Sequence, residues 1–584
     1  MLYEQVVQAD LCVVGGGMAG ISAAIAAARE GLKVVLLQER PVYGGMASSE
    51  MRMWICGVGE GRYRETGLLE EIFLENYYRN PNKNWYLWSD VLFEKVRAEE
   101  NITALLNCTC YDAVAAGGFI REVKAYQMTT QTRYVVRATY FADCSGDSIL
   151  GMLSGAEYME GRESAAEYGE TMSPCEKPDG GRMGNSLLLQ IRRTDRFVKF
   201  IPPETARKIS PQVLKEKRFD IENEGENFWY IELGGMTDTV RDAEITKEEL
   251  LDLLFGVWDC IKNSGEFDAD TWDIEFIGFI PGKRESKRLK GAYVMTANDI
   301  VAGGHFRDVV AYGGWPLDNH DPMGFDSKGF EKNLWIALRQ PYGIPLRCLY
   351  SANISNLFFA GRNISLTHMA LSSARVMATC ALLGEAVGLA VVVAAHNKIL
   401  PSALPEHIQE VQTLLLKHDC YLPYIDRACG DVGAHSELSG IENVDILRNG
   451  KDRNLEKEEK NYCLIPNGRK VTYKIADRYV RYIKIVFDSD LLRSTFTCSN
   501  WEKSHNMRAN IRGNEPEMYV PKTLAKAYRV EVESVDGTEI FEEKMNRKRN
   551  VLIDLQKKVR EIHLTVDENW GGTTMTPVFT FELF

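Results

Sequence analysis

The sequence predicts an α/β fold joined to an all-β C-terminal region, and three observations carry that prediction. A short apolar strand, a glycine-rich turn, an alanine-rich helix and a second apolar strand follow one another at the N-terminus. The same buried pattern returns over residues 346–395. After about residue 430, β-branched and aromatic residues alternate with charged ones over strand-length runs.

The first element is the strand Leu11–Val14, which runs into Gly15-x-Gly17-x-x-Gly20. Met18 and Ala19 open the helix, Gly31 ends it, and a strand over Val34–Leu37 leads to Glu39 and Arg40. Each glycine has a physical role: Gly15 makes the tight turn, Gly17 lets backbone N–H groups approach a pyrophosphate, and Gly20 lets helix and strand pack closely. The helix N-terminus offers partial positive charge to phosphate. Glu39, 19 residues beyond Gly20, stands where a carboxylate can accept hydrogen bonds from a ribose diol. Strand, glycines, helix, strand and acid in this order specify a Rossmann-like dinucleotide-binding domain.

That domain is expected to occupy residues 1–160 and to resume at 346–395. The span 161–345, rich in aromatics and Gly–Pro punctuation, reads as an inserted α+β substrate or cap domain. Residues 396–430 read as a helical connector, with Ile408, Val411 and Leu414–Leu416 on the apolar stripe of Pro405–Lys417. Residues 431–584 read as a β-sandwich: Ile483 and Ile485, Val530 and Val532, and Ile562, Leu564 and Val566 alternate, with a hairpin-turn signal at Asp536-Gly537.

Composition narrows the function classes. A net charge of −13 argues against nucleic acid and against an anionic membrane surface as partner. Thirteen cysteines, none in CxxC spacing, exclude the usual short zinc, iron–sulfur and thioredoxin-like signatures. No metal site is expected, and the thiols read as reduced and buried, as in a cytoplasmic protein. No signal peptide precedes the first strand, and no apolar run reaches the length of a membrane span; Ala386–Ala395 reads as a buried helix.

Three further stretches carry a family resemblance. Pro41-Val42-Tyr43-Gly44-Gly45-Met46 follows the ribose acid. Tyr140-Phe141-Ala142-Asp143-Cys144-Ser145-Gly146-Asp147 ends a strand, and Asn356 to Ser365, with Gly361-Arg362, leads into Ser372-Ser373-Ala374-Arg375. Together with the glycine loop these resemble the large FAD-binding family that includes the flavoprotein subunits of succinate dehydrogenase and fumarate reductase. Over residues 8–425 the chain is similar to a subfamily of bacterial FAD-dependent oxidoreductases, also through Gly282-Lys283-Arg284-Glu285-Ser286-Lys287-Arg288 and Asp308 to Trp315. Beyond residue 430 the tail resembles carbohydrate-binding or discoidin-like sandwiches. The resemblance implies FAD as cofactor. It implies contacts to FAD from Gly15, Gly17, Met18, Ala19, Gly20, Glu39, Arg40, Gly44, Gly45, Met46, Ser145, Gly146, Glu285, Gly361, Arg362, Ser372 and Arg375. It also implies a helix from Ser372 with its N-terminus toward the flavin's pyrimidine end. Members that tether FAD do so through a histidine close after the glycine loop. All nine histidines of this chain lie at or beyond residue 305, so the expected flavin is non-covalent.

His368, His320 and Arg284 are the catalytic candidates. An imidazole is suited to taking a hydroxyl proton near neutral pH, and His368 lies between Arg362 and Ser372. Arg284 can clamp a carboxylate or stabilise negative charge; His305 is the weaker third histidine. Cys56, Cys144 and Cys348 fall near the cofactor loops and read as structural. No second glycine fingerprint for a nicotinamide is present, since Gly384-x-x-x-Gly388 lacks the flanking strand and acid. Electrons therefore pass to or from an acceptor or donor that the sequence leaves open. Three functions remain: an FAD-dependent dehydrogenase of a hydroxylated, sugar-related small molecule; a fumarate-reductase-like enzyme acting on an activated alkene of a carboxylic acid; and a flavin-bearing carbohydrate-binding or scaffold protein. The tail itself reads as a glycan binder, a packing module or a homo-oligomer contact.

Overall fold

The computed structural model describes residues 3–59, 61–217, 221, 230–328, 333–498, 503, 507 and 517–584. It divides into two compact units, the first chiefly Met1–Gly57 and Asn82–Val411, the second Val58–Pro81, Gln412–Ser504 and Pro516–Phe584.

The first unit is built on a seven-stranded sheet. Its strands β1 (Tyr3–Val14), β2 (Val34–Leu37), β3 (Ile102–Leu105), β4 (Cys108–Ala116), β5 (Phe119–Gln127) and β6 (Thr132–Asp143) lie in the order β3-β2-β1-β6-β5-β4. Strands β1, β2, β3 and β6 are parallel, β4 and β5 form an antiparallel hairpin, and the late strand Leu357–Phe359 adds to β6 in parallel. The opening strand is longer than its apolar core, because Tyr3–Gln8 pairs with Thr132–Arg137 where side chains are largely exposed and leave no apolar signal.

Helix α1 (Met18–Arg29) crosses from β1 to β2 and is buried from Met18 to Ala28. Against it packs the helix Met377–Asn397. That helix is long and apolar enough to cross a membrane, but 94% of its apolar window is buried within the fold. The approach explains Gly384 and Gly388: a Cβ on the first would lie 2.0 Å from the Ala19 carbonyl oxygen, and on the second 2.4 Å from that of Ala23. Small residues on both helices let the backbones nearly touch. A separate apolar cluster, with Leu187, Leu253, Trp258, Trp272 and Phe325, underlies the helix Ala243–Asn263.

The second unit is all-β apart from short helices and the helix Leu68–Arg79. Its seven strands form one antiparallel hydrogen-bonded set centred on Lys470–Phe487 and Asn550–Asn569. Ile562, Leu564 and Val566 are fully buried, as their alternation predicts. Lys484 is also fully buried; its Nζ donates to the carbonyls of Leu416 (2.8 Å) and Lys417 (3.0 Å) and faces Asp452 at 3.6 Å.

Candidate functional site

The site begins where β1 ends. Gly15 has φ +105, and a Cβ there would fall 2.5 Å from the Cys144 carbonyl oxygen at the end of β6. A Cβ on Gly20 would lie 1.7 Å from the Gly15 oxygen, so only glycine lets α1 start this close to the strand. Gln38 closes the turn: the Gly16 N–H donates to its Oε1 at 2.8 Å, and its Nε2 donates to the Val42 carbonyl at 3.0 Å.

Beneath this loop lies a cavity of about 440 Å³, within the range of small-molecule and cofactor sites. Gly15, Gly17, Met18 and Ala19 form its floor, and Gly44, Gly45 and Met46 run alongside, with the Gly44 N–H donating to the Gly16 carbonyl at 2.9 Å. A Cβ on Gly17 would meet nothing closer than Gly45 Cα at 4.0 Å, so the space over Gly17 is open. No side chain caps the N-terminus of α1, which leaves its first N–H groups for an anion. This cradle fits a pyrophosphate.

The lining includes Glu39, Arg40 and the first residues of β4. The Glu39 side chain is largely exposed, with Arg40 Nε 3.6 Å away. The lining also includes Ser145, Gly146, Gly361, Arg362, Arg375 and Met377. Asp147 there holds Arg362 (2.5 Å) and Lys283 (2.6 Å) together; burial pushes its carboxyl up, but the two cations outweigh that and hold it low.

The helix expected from Ser372 is interrupted. His368–Ala374 forms one short helix, Val376 turns the chain, and the long helix starts at Met377. Ser372 is therefore buried in mid-helix, its Oγ donating to the Met369 carbonyl at 2.7 Å, and is not part of the cavity wall. Glu285 is fully buried behind the wall as well, so both expected flavin contacts stand one layer back.

That layer is a buried polar network. His368 is 1% exposed. Its Nδ1 lies 2.9 Å and 3.1 Å from the Glu285 oxygens, and its Nε2 lies 2.8 Å from Asn319 Oδ1. A carboxylate only accepts, so Nδ1 carries hydrogen; the amide can offer either face to Nε2. Glu285 also accepts from the Met183 N–H at 3.0 Å and faces Arg288 at 3.6 Å. Burial raises its carboxyl, while His368 and Arg288 bring it below its ordinary value.

His320 sits between two carboxylates, Nδ1 to Glu232 at 2.8 Å and Nε2 to Asp318 at 3.3 Å. Burial alone would lower its pKa; the two anions raise it above the ordinary histidine value. Glu232, raised by burial, is held down at about 2 by Arg284 and His320. Asp318 is likewise held well below the carboxylate range, against its burial, by His320 and Arg375. Arg284 pairs with Glu232 at 3.3 Å and donates to Ser186 Oγ at 2.9 Å. Arg375 reaches Asp318 at 3.2 Å while also lining the cavity, so it joins network and wall.

The three catalytic candidates are thus gathered in one network, though none of them lines the cavity itself. His305 is exposed. Cys56, Cys144 and Cys348 are buried; burial raises the Cys144 and Cys348 thiols, and it pushes Cys110 and Cys380, both in the wall, up to about 12. The partners Glu232, Asn319, Asp318 and Gln38 were not singled out from the sequence. Gln38, directly before Glu39, and Asp318, two residues before His320, could have been; Glu232 and Asn319 lie far from their partners along the chain.

A largely parallel sheet, a glycine loop without a capping side chain and an open cradle between two glycine segments define a dinucleotide-binding protein. The family model for FAD dependent oxidoreductases matches residues 10–415, and the chain belongs to that family. It is an oxidoreductase and its cofactor is FAD. Similar solved structures include quinol fumarate reductase FrdA of E. coli, 13% identical over 71% of this chain and 79% of that one, with a TM-score of 0.29. They also include a geranylgeranyl bacteriochlorophyll reductase-like protein of Thermoplasma acidophilum (13%; 71% and 85%; 0.28) and p-nitrophenol 4-monooxygenase PnpA of Pseudomonas putida (11%; 70% and 86%; 0.32). No curated protein matches the chain.

Proposed function

We propose that the protein is an FAD-dependent dehydrogenase of a hydroxylated, sugar-related small molecule, working in the cytoplasm with non-covalent flavin. The observation that carries this reading is the Glu285–His368–Asn319 arrangement. Glu285 fixes the imidazole through Nδ1 and stabilises the positive charge that appears when the ring takes a proton. Nε2, now paired with the Asn319 amide, would take the hydroxyl proton of a substrate that displaces that amide. Bound FAD supplies a hydride-accepting centre. Gly15, Gly17, Gly44 and Gly45 would hold its pyrophosphate, Glu39 its ribose, and Arg362 and Arg375 its flavin end. Met18, Ala19, Arg40, Met46, Ser145, Gly146 and Gly361 would line it. Arg284 and His320 act as one charged unit with Glu232 and hold the wall behind the substrate.

The charge balance supports a neutral substrate. Arg284, Arg288 and Arg375 each face a carboxylate at 3.3 Å or closer, Glu232, Glu163 and Asp318 respectively. Guanidiniums so matched make a poor clamp for a dicarboxylate. The fumarate-reductase-like reading draws on the opposite case at Asp147, where Arg362 and Lys283 share one carboxylate and leave positive charge at the wall.

An anaerobic scan of the flavin absorbance with sugars, polyols, hydroxy acids and amines tests the proposal. Bleaching by sugars or polyols is the expected result. A flavin that none of them bleaches, but that is reoxidised after dithionite reduction by alkenoic acids, would replace it with the second reading.

A further inference from the structure

In the second unit, the strands Ala525–Ser534 and Asn550–Asn569 pair antiparallel, with Glu531 opposite His563 and Glu533 opposite Glu561. On the other flank of Asn550–Asn569, Thr472 stands opposite His563 and Lys474 opposite Glu561. Residues directly opposite one another, and residues two apart along a strand, project from the same face. All six side chains therefore share one face of the sheet. Two of them have other ties. Glu531 pairs with Lys470 at 2.6 Å and Arg529 at 3.5 Å, and Lys474 pairs with Glu437 at 3.8 Å. Glu533 and Glu561 instead meet at His563, whose Nε2 lies 3.3 Å from the first and 3.7 Å from the second.

A single ring nitrogen cannot serve both carboxylates. Nε2 carries at most one hydrogen, so it donates to one oxygen. Two glutamates directly opposed across an antiparallel pair also repel each other. A divalent cation answers both problems, because it takes the imidazole and both carboxylates as ligands at once. The geometry suits zinc. Zn–N and Zn–O bonds of about 2.0–2.2 Å in a tetrahedron put neighbouring ligand atoms roughly 3.3–3.6 Å apart. The two His563 distances lie at that edge, and the three ligand atoms are all within 4.8 Å of one another. The other ring nitrogen, Nδ1, is 2.9 Å from Thr472 Oγ1. A hydroxyl that accepts from the Nδ1 hydrogen selects the tautomer that leaves the Nε2 lone pair for a metal. The ring is largely buried while both glutamates are partly exposed, so the imidazole is held, the carboxylates can turn to close the site, and water can take the fourth position.

We propose that Glu533, Glu561 and His563 form a binding site for one Zn²⁺, with Thr472 orienting the imidazole. The proposal is independent of the flavin and of its substrate. An imidazole among the ligands selects zinc over calcium and magnesium, which take oxygen ligands. The sequence predicts no metal site because zinc signatures are read from short spacings, whereas Glu533 lies 30 residues before His563 and on another strand. Bound zinc clips the end of Ala525–Ser534, beside the turn between Ser534 and Gly537, onto its neighbouring strand.

The test is calorimetric titration of the full-length, FAD-loaded protein with zinc chloride, after removal of any affinity tag and of metal with EDTA, in a buffer that does not bind zinc. Thermal unfolding is followed with and without the ion. The wild type is expected to show one saturable Zn²⁺ site per chain and a higher unfolding midpoint with zinc. Both should be lost in His563→Gln and in Glu533→Gln. Thr472→Val, which keeps all three ligands, should bind about 10- to 100-fold more weakly. Glu533 is partly exposed, so Glu533→Gln carries the test if His563→Gln fails to fold. Absence of a saturable site in the wild type, or the same zinc stoichiometry in wild type and Glu533→Gln, would overturn the proposal and leave an ordinary ion pair. Equal stabilisation by calcium chloride would also overturn it, since His563 would then not be a ligand. Half a zinc per chain with dimer formation would assign the glutamates to a contact between two copies and overturn it as well.

Discussion

Glu285 and His368 lie 83 residues apart in sequence and 2.9 Å apart in the fold, both essentially out of water. With Nδ1 held by Glu285, the other ring nitrogen, Nε2, meets Asn319 Oδ1 at 2.8 Å. His368→Ala is expected to keep FAD bound and to slow flavin reduction by substrate about 10²–10⁴-fold. Stopped-flow reduction of the FAD-loaded variant checks it; an unchanged rate returns His368 to a structural role. Glu285→Gln should give a smaller loss together with a shifted pH profile.

The cradle above Gly17 predicts a different failure. Gly17→Val would place a branched side chain where only open space and Gly45 Cα now stand. The variant should fold and lose its flavin, read as the ratio of flavin to protein absorbance after gel filtration. Retained stoichiometric flavin would mean that the pyrophosphate lies elsewhere.

With no histidine before residue 305, non-covalent flavin is expected. Trichloroacetic acid should leave the yellow colour in the supernatant. A yellow pellet would reveal a covalent link through some other side chain.

The carboxylate–histidine pair at Glu232 and His320 sets a pH window for stability. Glu232 is depressed from its ordinary 4.5 to about 2, so its contribution is full above pH 4.5 and is lost as the pH falls toward 2. That loss is on the order of 3 kcal/mol. His320 is raised above 6.5, so its contribution is full below that pH and is lost as the pH rises through the higher folded value. Unfolding midpoints against pH should fall on both sides for the wild type. They should be flatter in Glu232→Gln, and identical profiles would count against the pairing.

In the second unit, Arg493 and Glu70 form a fully buried two-point ion pair, 3.1 Å and 2.6 Å. Removing the guanidinium strands a buried carboxylate, so Arg493→Ala should cost about 3–5 kcal/mol. Urea unfolding followed by tryptophan fluorescence measures it. A cost below about 1 kcal/mol would mean that water reaches Glu70.

The glycine loop, both apolar strands and the alternating C-terminal strands were legible because each is set by near neighbours. Gly15 to Gly20 is a local steric problem, and Ile562 to Val566 a local period. Gly384 and Gly388 were visible as a spacing, yet their use depends on the Ala19 and Ala23 carbonyls, which no local pattern announces. Glu232 and Asn319 were hidden for the same reason, 88 residues from His320 and 49 from His368. The break at Val376 was missed because Ser372 to Met377 contains no proline or glycine to announce it.

The helix Leu68–Arg79 has a consequence for how this chain can be divided. It belongs to the second unit but is encoded between β2 and β3 of the first, and it supplies the carboxylate that Arg493 needs. A fragment starting at residue 431 would lack it and carry an uncompensated cation in its core. The tail is therefore no appendix that a single cut near residue 431 removes. Separating the second unit cleanly takes two edits, one at residues 58–81 and one beyond residue 411.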